Sequence, residues 1–561
     1  PANARLVAYI VGNVTVAKLR QQLRELLPAY MQPDAFVVID KLPLTINGKL
    51  DYRALPDPDF ERDATQEFVE PRDATERQLA RIWADVLGLS EVGVFDNFFA
   101  LGGHSLLATR VVSRVRDVMA AAVPLRELFE SPTIAGFAAA LAQSGSSDES
   151  AALVPRDPST RLLPLSWAQQ RLWVLDQLEP DSTAYNLPWA ARLTGYLDTK
   201  ILQQAVDTLA ARHESLRTGF GGREGEPVQL IASRLQIPVQ SENLSGATPQ
   251  SIEARLLELV SVPFDLHKPP LMRVHVLHLA DDQCVLLLLM HHIVADGWSM
   301  GVLFRELAHS YNQLRAGDPV TLPDLPVQYA DFALWQRDWL AGAELLRQER
   351  YWTAQLADAP PVLELPLDHP RPAVQRYRGA WVSSVLDSVL LEDLRALAAR
   401  EGATLFMVLL AGFKALLAIQ TGFQDVVLGT PVAGRRRTEL EGLIGCFLNT
   451  LVLRTNLHGN PAFTELLQRV RQTTLDAYDN QELPFEKLLE VLQPARSGAY
   501  TPIIQVMFNL QNAPTSSLAL DGLQVESFDV DRGTAKFDLS AVLAEHRDGL
   551  HIGFEYNTDL F

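Results

Sequence analysis

One unbroken apolar run in the chain is Cys284-Val-Leu-Leu-Leu-Leu-Met290. Bounded by polar residues, it reads as a strand buried on both faces, and it is too short to cross a membrane. It ends on His291-His292-Ile-Val-Ala-Asp296-Gly297-Trp298-Ser299. Side chains alternate along a strand, so the two rings are expected on opposite sides, with at most one facing a reacting centre. Asp296 could hold a ring or a loop through an ion pair. Gly297 would let a ligand pass close to the backbone. A metal is not expected, because the rings diverge and no third ligand lies nearby.

The same reading divides the rest of the chain. In residues 1–60, a strand from Leu6 to Val11, a helical face of Val16, Leu19, Leu23, Leu26 and Leu27 ending at Pro28, and a second strand Phe36–Ile39 make a small α+β subdomain. Asn47-Gly48-Lys49 reads as a tight turn with a surface lysine. A Pro-, Asp- and Glu-rich linker, placed at 61–72, follows. Thr75-x-x-Gln78 is a capping box opening a helix with Leu79, Ile82, Trp83, Val86 and Leu87 on one face. Leu107, Val111, Val115 and Val118 mark a second helix, and Ile134, Phe137 and Leu141 a short last one. The bundle spans 73–143, with Ser105 at a helix start, where serine ordinarily caps. The polar tract within 144–162 is a linker with little to bury. From 163 to 561, Ser166-x-x-Gln169 caps a first helix, and Ile201 to Ala210 form another.

Composition changes this picture little. At 561 residues the chain has room for several domains, and 47% hydrophobic residues are ample for ordinary cores. A net charge of −19 argues against nucleic acid or an anionic membrane as partner. Cys284 and Cys446, the two cysteines, both lie in apolar runs, so neither a disulfide framework nor a zinc site is expected. A reducing, cytoplasmic setting fits. The chain starts mid-pattern, which suggests a fragment of something longer.

Three groups of strings resemble known families. Asp96-x-Phe-Phe-x-Leu-Gly-Gly-His-Ser-Leu106 closely resembles the phosphopantetheine attachment site of peptidyl carrier proteins. The resemblance implies that Ser105 carries a covalent 4'-phosphopantetheine arm, installed by a phosphopantetheinyl transferase. Leu27 to Pro33 with Leu42 to Asp51 resemble the end of an adenylation domain's C-terminal subdomain, in which Lys49 would reach the acyl-adenylate of an upstream adenylation core. His-His-x-x-x-Asp-Gly resembles the active-site motif of nonribosomal peptide synthetase condensation domains. Ser166 to Trp173, Arg212 to Thr218, Tyr329 to Trp335, Ile444 to Thr450 and Asn480 to Glu486 match that family's motifs in order. A seventh motif survives only loosely as Arg496 to Pro502, and the domain's usual terminal helices are not reached.

The resemblance implies a multidomain protein: a small α+β subdomain, a helical-bundle carrier, and a two-lobed α/β condensation domain like chloramphenicol acetyltransferase. Its lobes would be roughly 164–350 and 351–561, with a tunnel between them. It implies an aminoacyl or peptidyl thioester on Ser105 as donor and the amine of an aminoacyl thioester on a downstream acceptor carrier. His292 is then the residue expected to orient that amine or take its proton, and Asp296 to hold the loop, with Arg435 as partner. Asn449 and Trp298 are tunnel-lining candidates. Gly-Gly-His-Ser and His-His-Ile-x-x-Asp-Gly-Trp-Ser favour an L-donor, L-acceptor domain. An epimerisation domain acting on the Ser105-bound group, or a non-catalytic recruitment domain, are the alternatives.

Overall fold

The computed structural model describes residues 7–11, 19, 35–39, 41, 43, 68–121, 123–143, 152–223, 225–495, 497–511, 518–528, 530, 533–546 and 548–561. The first elements are strands β1 (Val7–Val11) and β2 (Ala35–Ile39) and helices α1 (Ala74–Leu87), α2 (Ser105–Met119), α3 (Leu125–Glu130) and α4 (Ile134–Gln143). Then come α5 (Trp167–Leu178), β3 (Asn186–Thr194), α6 (Thr199–Arg212), β4 (Thr218–Arg223), β5 (Glu226–Ile231), β6 (Val239–Asn243), α7 (Pro249–Val260), β7 (Met272–Ala280), β8 (Gln283–His291) and α8 (Gly297–Ala316). The remainder holds α9 (Tyr329–Trp339), α10 (Gly342–Gln355), β9 (Gly379–Asp387), α11 (Ser388–Arg400), α12 (Leu405–Thr421), β10 (Asp425–Val432), β11 (Asn449–Asn456), α13 (Phe463–Asp479) and α14 (Phe485–Leu492). Strands β12 (Val506–Gln511), β13 (Gln524–Phe528), β14 (Leu539–His546) and β15 (Gly549–Asn557) close the chain.

Two compact units divide the chain: residues 1–103 with 131–143, and residues 104–130 with 144–561. In the first, β1 and β2 pair in parallel, Val7 opposite Ala35 through Val11 opposite Ile39. Apart from residue 19, the helix expected over 16–27 lies outside the described residues, as do the turn bearing Lys49 and Arg496. Helix α1 buries Leu79, Ile82, Trp83 and Val86 as its periodicity demands. Its cap sits two residues earlier than the Thr75 box. Asp73 accepts from the Glu76 amide at 2.8 Å, and the Glu76 carboxylate accepts the Arg72 amide at 2.8 Å. A carboxylate cap backed by an arginine outcompetes a hydroxyl.

The second unit is built on two sheets. One has strand order β11-β10-β12-β14-β15-β9, the other β13-β3-β8-β7-β6. Strand β8 is interior, antiparallel to β3 on one side and to β7 on the other. It is buried from Cys284 to His291, as a continuous apolar run requires.

The lobe division near residue 350 holds for both sheets apart from one strand: the six-stranded sheet is built from residues 379–557, the five-stranded one from residues 186–291 plus β13. Strand β13, from the end of the chain, pairs antiparallel with β3 and covers that sheet's open edge. Helix α9 bridges early and late residues: the Tyr329 and Phe332 rings lie 4.9 and 4.7 Å from that of Phe447, while Arg337 donates to the Leu165 carbonyl at 2.8 Å. Trp352 of α10 donates to the Asn480 carbonyl at 2.9 Å.

Behind the six-stranded sheet, α12 buries Lys414 completely. Its ammonium donates to the carbonyls of Val426 (3.2 Å) and Leu453 (2.6 Å) and to the Thr455 hydroxyl (3.0 Å), so all three protons have acceptors. Burial nevertheless lowers its pKa from 10.5 to about 7. Between those values the unfolded chain holds more protons at this site than the folded one, so stability rises with pH through that window and falls as pH drops toward 7. Relative to Lys414→Met, the wild type should gain up to about 1.4 kcal/mol per pH unit from pH 7 toward pH 10. Urea titrations of both proteins at two pH values measure this; parallel slopes would contradict it.

Candidate active site and carrier attachment site

Strand β8 delivers the two histidines to different surroundings. His291 is its last residue, and its amide donates to the Leu271 carbonyl at 3.0 Å. The ring is buried, Nδ1 accepts from the Ile293 amide at 3.2 Å, and Phe264 meets it edge-on at 6.0 Å. Burial first, then the neighbouring His292 and Lys536, pulls its pKa down to about 3, so it is neutral at pH 7. His292 leaves the strand and opens a 3-10 turn over His292–Val294. Its amide donates to the Tyr185 carbonyl at 2.9 Å. Its half-buried ring has Nδ1 3.9 Å from Sγ of Cys446.

Asp296 is the N-cap of α8 and the centre of a buried knot. Oδ1 accepts from the Ser299 amide at 2.8 Å and from Nη2 of Arg435 at 3.2 Å. Oδ2 accepts from the Phe447 amide at 3.0 Å. The side chains of Arg435 and Asp296 are 0% and 2% exposed. The Ser299 hydroxyl accepts from the Gly445 amide (3.0 Å) and Arg435 (2.8 Å). Its single proton has two acceptors in reach, Asp296 at 2.7 Å and the Gly445 carbonyl at 2.8 Å. Arg435 further donates to the Leu443 carbonyl at 2.8 Å and lies 4.0 Å from the centre of the Phe447 ring. Burial lowers its pKa, with Asp296 opposing. Asp296 is thus fully engaged in joining the start of α8 to residues 435–447.

The other motifs feed the same region. Tyr329 donates to the Cys446 carbonyl at 2.5 Å and shares a 2.7 Å hydrogen bond with Ser166. His213 lies 2.7 Å from Glu306, and Ser215 donates to the Ile444 carbonyl at 2.7 Å. Asn449 donates to the carbonyls of Gln481 and Leu483, both at 2.8 Å, and accepts from the Phe485 amide at 3.0 Å. It pins the turn before α14 while also lining a cavity of about 500 Å³ with Cys446 and Glu486. The partners of Ser166, Ser299, Tyr329 and Cys446 were not foreseen from sequence, because a serine or tyrosine within a motif has no spacing of its own to betray a partner over a hundred residues away.

Ser105 is the first residue of α2, not its cap; His104 takes the cap position without a side-chain cap bond. Burial lowers the His104 pKa to about 4, so the ring adds no charge beside the serine at pH 7. The glycines before it serve the fold: Gly102 has φ +93°, and a Cβ on Gly103 would come within 2.4 Å of Phe98. A cavity of about 380 Å³ is lined by Ser105, Tyr478, Gly297, Trp298, Arg435 and Asn509, among others. Trp298 is fixed there by a 2.9 Å hydrogen bond from Nε1 to the Glu441 carbonyl, and the space beside Gly297 is open for 4 Å. A hydroxyl at a helix N-terminus, opening on a cavity of ligand size, fits a phosphate-linked arm.

Because the Asp296–Arg435 pair is buried, removing one partner strands the other charge. Asp296→Asn and Arg435→Ala should each cost roughly 3–5 kcal/mol of stability. Denaturant unfolding checks this; an unchanged midpoint for either variant would contradict a structural role for the pair.

The family model described as "Condensation domain" matches residues 159–561. "Phosphopantetheine attachment site" matches 77–141, which brings 4'-phosphopantetheine as covalent cofactor, and "AMP-binding enzyme C-terminal domain" matches 2–49. The chain is 47% identical to one of the proteins that make up the linear gramicidin synthase of Brevibacillus parabrevis, over 571 residues, covering 99% of this chain and 7% of that protein. It is 42% identical to the dimodular nonribosomal peptide synthase of Bacillus subtilis, covering 24% of it. The chain therefore spans a small part of the relatives it matches. Among solved structures, the X-domain from teicoplanin biosynthesis aligns with a TM-score of 0.68 at 30% identity, covering 73% of this chain and 92% of that one. The first condensation domain of the calcium-dependent antibiotic synthetase shares the fold, with a TM-score of 0.61 at 23% identity, covering 72% and 92%. Family model, relatives and fold agree with the site: the chain belongs to the condensation-domain family, the peptide-bond-forming acyltransferases of nonribosomal peptide synthetases.

Proposed function

We propose that Ser105 carries the donor for this same condensation domain, which joins it to the amine of an acceptor carried on a downstream carrier. One observation supports this most: a single cavity has Ser105 in one part of its lining and Gly297 and Trp298 in another. The arm supplies the acyl group as a thioester. The chain's own residues then do the rest. His292 accepts a hydrogen bond from the incoming amine and orients it, or takes its proton. His291, neutral and buried, supports the end of β8. Asp296, Gly297 and Arg435 hold and open the loop through which the donor reaches. Lys49 acts only with the upstream adenylation core, and a phosphopantetheinyl transferase loads Ser105. An L-donor and an L-acceptor remain the stereochemical reading, on the Gly-Gly-His-Ser form of the carrier.

Two measurements test this. Incubation with coenzyme A and a phosphopantetheinyl transferase should add one arm to the wild type and none to Ser105→Ala, read by intact mass. An equally modified alanine variant would refute the attachment site.

With the arm loaded and an aminoacyl carrier supplied in trans, His292→Ala should lose about 10²–10⁴-fold in dipeptide formation at unchanged loading. His291→Ala should lose thermal stability instead. A wild-type rate from His292→Ala would rule out catalysis by that residue. Inversion at the donor Cα without dipeptide would favour the epimerisation reading.

A further inference from the structure

The second unit contains a charge-matched surface that the donor reading alone does not require. Residues 105–130 carry four arginines (110, 114, 116 and 126) against Asp117, Glu127 and Glu130, a local charge of +1 in a chain of net −19. Three of those arginines meet the condensation domain. Arg110 forms a bidentate pair with Glu441, at 3.0 and 2.9 Å. Arg126 forks between two carboxylates one helical turn apart on α13, Asp479 at 3.0 Å and Asp476 at 2.5 Å. Arg116 donates to the Arg436 carbonyl at 3.1 Å, and next to it the Thr438 hydroxyl donates to Asp117 at 2.5 Å. Between the two carboxylates in sequence stands Tyr478, its ring 6.5 Å from that of Phe129 on α3, lining the same cavity as Ser105.

We propose that Glu441, Asp476, Tyr478 and Asp479 form a docking surface selective for a carrier that presents arginines at positions 110 and 126, the occupant being helices α2 and α3 of this chain. The cations lie on the carrier helices and the anions on the condensation domain, so a carrier bearing acidic groups at those two positions is repelled. The forked and bidentate geometries fix direction as well as distance, which a point charge would not. Tyr478 lines the same cavity as Ser105, so the seated arginines bring the attachment point to that cavity. This rests on the reading of Ser105 as donor, but makes a separable claim about which carrier is accepted.

The experiment is a charge swap in the full chain, with Arg110→Glu, Glu441→Arg and the double variant. Amide hydrogen exchange over 105–119 and 463–479 reports docking without reference to activity. Arm loading by a phosphopantetheinyl transferase reports an intact carrier. Each single reversal should loosen both segments and slow dipeptide formation roughly five- to tenfold, with loading unchanged, and the double variant should recover to within about twofold. As a variant-free check, protection in the wild type should fall between about 0.05 and about 0.5 M salt, as partly exposed pairs are screened. Exchange unaffected by either reversal, or a double variant no better than the singles, overturns the proposal. Charge-dependent exchange in a wild type that forms no dipeptide would leave the surface standing and reject the donor reading instead.

Discussion

The contact on which most else depends is the buried ion pair between Asp296 and Arg435. It joins the N-terminus of α8, immediately after the histidine turn, to a loop 139 residues later. A pair this buried gains little net stability, because both charges lose their water. Its value lies in uniqueness: Asp296 caps a helix, receives the Phe447 amide and faces one guanidinium. No shifted arrangement satisfies all three. The tight approach of the two loops depends on glycine. A Cβ on Gly434 would fall 2.0 Å from the Phe447 carbonyl, and one on Gly445 would fall 2.0 Å from the Tyr329 ring.

Around that pair, the polar residues of the family motifs serve more to hold than to react. Tyr329, Ser166, His213, Ser215 and Asn449 each bond to a backbone group or a partner side chain distant in sequence. The result is a rigid frame in which one half-buried imidazole, His292, stands beside the Cys446 thiol.

Much of this was legible in the sequence, for identifiable reasons. The run from Cys284 to Met290 has no polar position, and only a strand covered on both sides tolerates that. The Ser166 box caps α5 with both of its reciprocal bonds. Local competition was harder to read. Asp73 takes the cap from Thr75, and His104 takes it from Ser105, because the choice turns on backbone angles that no spacing encodes. The tightness at Gly103 comes from Phe98, five residues away. Long-range partners were harder still. Asp296 and Arg435 could be paired only through the family resemblance, and nothing local to Arg110, Arg126 or Glu441 announces a partner more than three hundred residues away.

Strand β13 has a temporal consequence. The sheet that carries the histidine motif consists of β3, β6, β7 and β8, all made before residue 292, plus one strand from residues 524–528. During synthesis that sheet must wait through more than two hundred residues with the edge of β3 unpaired, and unpaired edges invite pairing with other chains. Its closure is among the most non-local steps in the fold and is expected among the slowest. The histidine turn can therefore be formed locally long before the sheet that supports it is sealed. In the growing chain, competence follows from a strand made long after the motif, not from the motif itself.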